Sequence, residues 1–115
     1  MSDQSLEEKK TFSYEEARAL LPLVRRVTED AYRQVEALQG EVDAGRLEMD
    51  RAQQRADGVI ASWIESMRAE GVEVKGAWLV DFDNGSGYYC WRYPEPALEF
   101  YHSYEDGFRG RMRIQ

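Results

Sequence analysis

The stretch 78–102, WLVDFDNGSGYYCWRYPEPALEFYH, decides the fold of this chain. Apolar and aromatic residues recur at every second position, which is the spacing of a β-strand. Residues 83–87 (DNGSG) and 94–96 (PEP) interrupt them with the residue types that form turns. The spacing already begins a few residues upstream. We therefore expect an antiparallel meander of three or four strands, over Val72–Val74, Trp78–Phe82, Tyr88–Tyr93 and Leu98–His102.

The two turns also predict how the strands pair. If the first turn centres on Gly85 and the second near Glu95, residues at equal distances from each centre share a face of the sheet. The face expected to pack on the rest of the protein then holds Trp78, Val80, Phe82, Tyr88, Cys90, Arg92, Leu98, Phe100 and His102. The opposite face carries Leu79, Asp81, Tyr89, Trp91, Tyr93, Glu99 and Tyr101. A slip of one residue in either pairing would exchange these sets.

Upstream of the meander, the apolar residues take a helical spacing. Ser13–Glu16 has the S-x-x-E pattern of a capping box, which begins a helix. Two apolar runs with steps of three and four follow, separated near Gly45, and Gly71 stands where a helix commonly ends. Pro22 lacks an amide hydrogen, so we expect a kink or a break near it. The pattern predicts an antiparallel helical hairpin with coiled-coil seams at Leu20, Val24, Val27, Ala31, Val35, Leu38 and Val42, and at Met49, Ala52, Ala56, Val59, Trp63 and Met67.

Together these segments predict an α+β protein in which a long helical hairpin packs on a small antiparallel sheet. We expect residues 1–11 to form a flexible N-terminal tail and residues 12–115 to form one domain. Within that domain, residues 12–71 form the hairpin, and residues 72–115 form the meander and a C-terminal turn.

Composition narrows the classes of partner. The net charge is -7 and no cluster of Lys or Arg is present, which argues against nucleic acid and anionic membranes. The first ten residues are polar and no apolar run is long enough to span a bilayer, so we expect a cytoplasmic protein. The single cysteine, Cys90, cannot form an internal disulfide, and we interpret it as a small buried hydrophobic residue.

Several short motifs resemble a known family. They are Phe12–Ala17 (Phe-x-x-Glu-Glu-Ala), Leu20-Leu21-Pro22, Leu79–Phe82, Cys90–Arg92, Glu95-Pro96, the aromatic Tyr101 before His102, and Gly107-Phe108 followed by Arg111. The stretch from Phe12 to Arg111 thus resembles a family of small bacterial proteins catalogued as domain of unknown function 2203. The resemblance implies a helical hairpin joined to a small sheet, and a ligand-binding cluster of Asp81, Arg92, Glu95, His102 and Arg111. It brings no activity, and Pro94 replaces a glycine that is usual in the family.

His102 is the only histidine and the first candidate for acid–base catalysis. A structural histidine at a strand end, hydrogen-bonded to Glu105 or Asp106, is the favoured alternative. A Cys90–His102 nucleophilic pair can also be drawn, with the two residues as diagonal neighbours on adjacent strands.

A metal ion could be bound by His102 together with Asp81, Glu95, Glu99, Glu105 or Asp106, with Asp81 and Glu95 as the leading candidates. The scarcity of His and Cys favours a hard ion bound by oxygen over zinc. Residues 83–87 faintly suggest a calcium loop, although a hairpin turn is the simpler interpretation. Residues 107–111 could present backbone amides and guanidinium groups to a small anion, or Arg111 could simply pair with a nearby acid. The sequence specifies no cofactor.

The helical seams and the aromatic sheet face both indicate self-association. We expect a homodimer with interface residues Val24, Val27, Val35, Leu38, Tyr89, Trp91, Tyr93 and Tyr101. The leading functional hypothesis is a homo-oligomeric module that binds a protein or a small ligand and has no catalysis of its own. The alternative is a small metal-dependent or acid–base enzyme with a site around Asp81, Glu95, His102 and Arg111.

Overall fold

The computed structural model describes residues 10–115 and shows two helices followed by a five-stranded antiparallel sheet. Residues 1–9 of the predicted tail lie outside the described residues. The elements are α1 (Tyr14–Asp43), α2 (Met49–Ala69), β1 (Glu73–Gly76), β2 (Leu79–Asp83), β3 (Gly87–Arg92), β4 (Phe100–Ser103), a 3₁₀ turn (Phe108–Gly110) and β5 (Met112–Arg113). The strands pair in chain order. The predicted α+β fold of a hairpin and a meander is confirmed, with a fifth strand supplied by the C-terminal segment.

The start of α1 has the predicted capping box. Ser13 Oγ accepts from the Glu16 amide at 3.1 Å, and Glu16 Oε1 accepts from the Ser13 amide at 2.9 Å. The helix then runs without interruption through Pro22, so the expected break is absent. Proline removes one backbone hydrogen bond, but Leu21 and Val24 on either side of it are buried, and this packing holds the helix together.

A glycine follows the C-terminal end of each helix. Gly71 follows α2 with φ +82°, its amide donates to the Arg68 carbonyl, and the Val72 amide donates to the Met67 carbonyl. This is the Schellman arrangement, and it satisfies the last carbonyls of the helix while directing Val72 into the core. Gly45, with φ +76°, follows α1 with the same pair of bonds.

The hydrophobic core lies between the hairpin and one face of the sheet. Val80, Phe82 and Trp91 of the sheet are fully buried against residues of both helices. Phe12 packs edge-to-face on Phe82, with ring centroids 5.4 Å apart. In the same core Trp63 Nε1 donates to Thr28 Oγ1 at 2.8 Å, so the one polar group of that side chain is satisfied.

The predicted pairing of β2 with β3 is wrong by one residue. Asp81 pairs with Cys90, and Val80 pairs with Trp91, because a four-residue turn over residues 84–87 places the centre between Gly85 and Ser86. The predicted pairing of β3 with β4 is correct, with Tyr88 opposite His102. The face toward the helices therefore carries Val80, Phe82, Tyr89 and Trp91, and the outer face carries Asp81, Cys90, Phe100 and His102.

Trp78 also differs from its predicted position. It lies in the turn between β1 and β2 with φ +61°, a left-handed conformation that is unfavourable for a bulky side chain. Its ring packs on Trp63 and on Tyr32, with centroid distances of 4.9 and 5.9 Å. These contacts fix the turn against the hairpin and explain how the unfavourable backbone conformation is maintained.

Within residues 10–115, neither helix combines the length and the apolar character that crossing a membrane requires.

Candidate functional site

The outer face of the sheet brings together three chemically reactive side chains. One potential metal-binding atom from each of Asp81, Cys90 and His102 lies within 4.8 Å of the other two, and all three residues are buried. The one-residue shift between β2 and β3 causes this, because it moves Asp81 onto the face that already held Cys90 and His102. Cys90 and His102 are diagonal neighbours on adjacent strands, as the sequence predicts.

Both ring nitrogens of His102 face oxygen atoms. Nδ1 lies 2.8 Å from the Ser103 carbonyl oxygen, which can only accept, so Nδ1 carries the hydrogen of this bond. Nε2 lies 3.0 Å from Asp81 Oδ2. A carboxylate oxygen also accepts, so a proton must lie between these two atoms, on the imidazole or on the carboxyl group. The partners expected from sequence, Glu105 and Asp106, are not the ones that bind His102.

A lysine and a tyrosine complete the surroundings of Asp81. Lys75 Nζ lies 3.1 Å from Asp81 Oδ2 and 3.8 Å from the centre of the Tyr88 ring. Burial lowers the pKa of Lys75, but the hydrogen bond and the negative charge of Asp81 outweigh it, and the net pKa is raised. The Tyr88 hydroxyl donates to Glu73 Oε1 at 3.2 Å. Lys75 therefore stays charged and holds one oxygen of the carboxylate.

The other oxygen of this carboxylate has no partner. Among residues 10–115, Asp81 Oδ1 is the buried side-chain oxygen or nitrogen for which no hydrogen bond is formed. A buried acceptor without a donor costs about 1–3 kcal/mol, so proteins retain few of them. This unsatisfied atom indicates that the group of Asp81, Cys90 and His102 is not there only to stabilise the sheet.

Cys90 lies next to Asp81 and is held as a neutral thiol. Burial and then the negative charge of Asp81 raise the pKa of the Cys90 thiol to about 12, against the opposite effect of Arg111. Arg111 Nη1 lies 3.9 Å from Cys90 Sγ. The thiol is therefore a weak nucleophile in this state.

Glu95, Arg111 and Arg92 form a separate, structural group. Arg111 Nη2 lies 2.8 Å from Glu95 Oε2, and the guanidinium lies between the rings of Phe100 and Phe108. Arg92 offers its backbone amide to Glu95 Oε1 at 2.9 Å, while its guanidinium lies over Phe108. The cluster implied by the family resemblance is thus divided in two, and Cys90 joins the half that contains Asp81 and His102.

The Glu95 carbonyl oxygen shows why this second group is structural. It accepts from Trp91 Nε1 and from Arg25 Nη1 of α1, each at 2.9 Å. The Glu95 side chain binds the C-terminal segment through Arg111 at the same time. Glu95 therefore links the helix, the sheet and the chain end, and its carboxylate is already paired.

A cleft of about 370 Å³ opens above the Asp81–Cys90–His102 group. Lys75, Leu79 and Tyr104 line it together with residues 105–108 of the C-terminal segment. Glu105 and Asp106 add negative charge at the rim, so the lining contains more acidic groups than basic ones. Such a cleft favours a cation over the small anion predicted from residues 107–111.

The hairpin turn at residues 84–87 is built by its own side chains. Asp83 Oδ1 accepts from the Gly85 amide at 2.9 Å, and Asn84 Oδ1 accepts from the Ser86 amide at 2.8 Å. Tyr104 also donates its hydroxyl to Asp83 Oδ1, and this bond raises the pKa of Tyr104 to about 12. These oxygens are used within the turn, which agrees with the hairpin interpretation of this segment.

The predicted interface residues lie at different depths. Val24 and Trp91 are completely buried within one chain, so they cannot contact a partner in this fold. Tyr89 and Tyr93 are half-buried and pack on Tyr14 and Tyr32 of α1. Tyr101 is exposed. Val27, Val35 and Leu38 are half-buried on the hairpin.

Comparison with known proteins identifies the family. A family model described as Uncharacterized conserved protein (DUF2203) matches residues 10–114. The chain belongs to this family. Neither a search of curated proteins nor a search of solved structures finds a match. The family description gives no activity, so the function of this DUF2203 member has to be argued from its geometry.

Proposed function

We propose that this DUF2203 protein is a small-ligand-binding module whose ligand enters the cleft above Asp81, Cys90 and His102. The observation that carries the proposal is the unpaired, buried Oδ1 of Asp81, a residue that lines that cleft. Buried polar atoms without partners reduce stability, and they are retained where they serve a ligand or a reaction.

The same geometry favours binding over nucleophilic catalysis. Cys90 is a protonated thiol with a pKa of about 12, and both nitrogens of His102 are engaged by Ser103 and Asp81. Neither Cys90 nor His102 is therefore poised to attack a substrate. The alternative enzyme built on Asp81, Glu95, His102 and Arg111 has less support, because Glu95 and Arg111 pair with each other.

Native mass spectrometry of freshly purified protein tests this proposal. We expect the wild type to retain an adduct in stoichiometric amount, and the Asp81→Asn variant to lose it. Asp57→Asn is the matched control, because Asp57 is an exposed carboxylate of α2 and lies away from the cleft. The proposal fails if the wild type carries no adduct and its His102 ring NMR signals do not respond to added metal ions or small metabolites.

Self-association is a second candidate property. It is favoured by the half of the hairpin that lies nearest the turn between α1 and α2. The buried residues of α1 all precede residue 32, so the second half of this helix has no buried residue. In the part of α2 that lies beside it, Ala52 is the one buried residue of the described chain. Leu38 and Val59 line a shallow apolar groove there, and Met49 is 61% exposed. We propose that the protein is a cytoplasmic homodimer of bacterial origin, with a coiled-coil-like contact between two hairpins that covers this groove.

Light scattering coupled to size-exclusion chromatography tests the homodimer. Leu38→Glu should convert a dimer to a monomer without changing the far-UV circular dichroism spectrum, because Leu38 is not in the buried core of one chain. Ala19→Glu, an exposed α1 position near the sheet end of the hairpin, should leave the mass unchanged. A monomeric wild type would reject the homodimer and leave the cleft proposal unaffected.

A further inference from the structure

We propose that Asp81, Cys90 and His102 bind one divalent transition-metal ion, such as Zn²⁺ or Co²⁺, through a carboxylate oxygen, Sγ and Nε2. This inference rests on the proposed function and specifies its ligand. The fourth position of the ion would face the cleft, where water or a small molecule can bind it.

The distances are close to those of a metal centre. The three donor atoms already lie within 4.8 Å of one another. Ligands at bond lengths of about 2.0–2.3 Å around a tetrahedral ion are separated by roughly 3.5 Å. The most distant pair of donor atoms therefore has to approach by roughly 1.3 Å at most. Side-chain rotation can supply this movement without moving the strands.

The orientation of His102 matches that of a metal ligand. Metal-bound histidines almost always donate the hydrogen of their second ring nitrogen to a carbonyl or carboxylate oxygen. Here Nδ1 donates to the Ser103 carbonyl, which aims Nε2 at Asp81. Two acceptors, Nε2 and Oδ2, then face each other at 3.0 Å, and a metal ion can replace the proton between them.

The unpaired oxygen of Asp81 is an independent indication. Oδ1 is buried and has no donor, although the other carboxylate oxygen already meets both Lys75 and His102. Coordination of the Asp81 carboxylate would give Oδ1 a partner.

The charges near the group permit this binding. Lys75 is the main competitor, but its side chain is about one-third exposed and can turn toward solvent. Arg111 is neutralised by Glu95 and lies close enough to Sγ to stabilise a thiolate. When Sγ binds the ion, the S–H bond breaks and its proton passes to solvent, as does the proton held between Asp81 and His102.

The donor set also selects the class of metal. One thiolate, one imidazole and one carboxylate suit Zn²⁺ and its neighbours, whereas Ca²⁺ and Mg²⁺ prefer oxygen ligands only. The hard, oxygen-bound ion expected from the sequence with Glu95 as a ligand does not fit, because Glu95 is already paired with Arg111 and Cys90 takes its place.

Titration of chelator-treated full-length protein with Co²⁺ tests the site. Tetrahedral Co²⁺ bound to a thiolate gives a charge-transfer absorption band and strong visible ligand-field bands, and Zn²⁺ added afterwards should abolish both. Cys90→Ser should remove the charge-transfer band. His102→Gln should weaken Co²⁺ binding by more than about 100-fold. This is a larger loss than substitution of residues that only hydrogen-bond to metal ligands usually produces.

Lys75→Gln is a variant for which we expect the opposite effect on Co²⁺ binding. Removal of the competing ammonium should strengthen Co²⁺ binding by up to roughly tenfold, because Lys75 and the ion share the same carboxylate. A variant that merely destabilised the fold could not produce a gain. Circular dichroism of each variant confirms that the fold is retained.

The metal assignment is overturned if wild type and Lys75→Gln both give no thiolate band, or if the band persists in Cys90→Ser. Failure here differs from failure of the proposed function. A protein that retains an organic adduct dependent on Asp81, yet shows no thiolate–cobalt band, would reject the metal and keep the ligand-binding cleft.

Discussion

The central residues of both sheet faces are buried, but the two faces differ in chemistry. Val80, Phe82 and Trp91 face the hairpin with no exposed surface, and Asp81 and His102 on the outer face are only 1% and 3% exposed. Apolar helix residues cover the inner face, whereas Lys75 and the C-terminal segment cover the outer one. Burial alone therefore does not identify a core. The inner face stabilises the fold, and the outer face keeps polar groups that a stability-optimised sheet would lack.

Truncation of an inner-face residue should have the largest effect. We expect Trp91→Ala to lower the free energy of unfolding by about 3–5 kcal/mol, because it empties a fully buried site and removes the bond from Nε1 to the Glu95 carbonyl. Urea denaturation followed by circular dichroism measures this change. Tyr101→Ala, an exposed aromatic of the adjacent strand, should cost less than about 1 kcal/mol. Equal losses in the two variants would contradict the burial of Trp91 in the core.

A polar bond within the inner layer should have the next largest effect. Thr28→Val preserves the shape of the side chain but removes the acceptor for Trp63 Nε1, which leaves a buried donor without a partner. We expect a loss of about 1–3 kcal/mol in the same denaturation experiment. Replacing the donor as well, in Thr28→Val with Trp63→Phe, should cost less than the sum of the two single changes. Strict additivity would show that this bond makes no contribution.

Cys90 allows the outer face to be probed through pH. At neutral pH we expect Cys90→Ala to cost only about 1 kcal/mol, since one buried atom is removed. The folded thiol has a pKa of about 12, while the unfolded thiol ionises near its ordinary value of 9.0. Stability from the neutral thiol is thus present below pH 9 and is lost as pH rises from about 9 to about 12.

The measurement is the difference in unfolding free energy between metal-free wild type and Cys90→Ala. This difference should shrink or reverse as pH rises through that window. Tyr104 also has a raised pKa, but it is present in both proteins and its effect cancels. A difference that stays constant with pH would show that the Cys90 thiol titrates normally in the folded state.

The contrast between the faces also shows what the sequence could and could not predict. The capping box at Ser13, the glycine at Gly71 and the alternation in β2 and β3 are local signals, and each was confirmed in the structure. The face on which Asp81 lies depends instead on one residue of turn length, because side chains alternate along a strand. A four-residue turn in place of the predicted five-residue one moved Asp81 beside Cys90 and moved Trp91 into the core.

Other site features depend on long-range contacts that no local pattern encodes. Lys75 reaches Asp81 only through the pairing of β1 with β2. The Glu95–Arg111 pair requires the C-terminal segment to return over the sheet, where β5 pairs with β4. The sequence indicated that Arg111 could pair with a nearby acid, and tertiary packing selects Glu95 as that acid.

The exposed ion pair between Glu41 and Arg46 at the hairpin tip serves as the comparison for the buried polar cluster of the outer face. Its removal should have the smallest effect on stability. Arg46 Nε lies 3.1 Å from Glu41 Oε1. The hydrogen bond from Arg46 and then its positive charge lower the pKa of Glu41. Stability from a lowered carboxyl pKa is present above the pKa of the unfolded chain and is lost as pH falls. Because solvent screens both groups, we expect Glu41→Gln to leave the urea midpoint unchanged within error at neutral pH and at pH 3. Asp81→Asn, which changes a buried carboxylate in contact with Lys75 and His102, should lower that midpoint clearly. If the two variants behaved alike, burial of the outer-face cluster would carry no energetic consequence, and its polar groups would be ordinary surface charges.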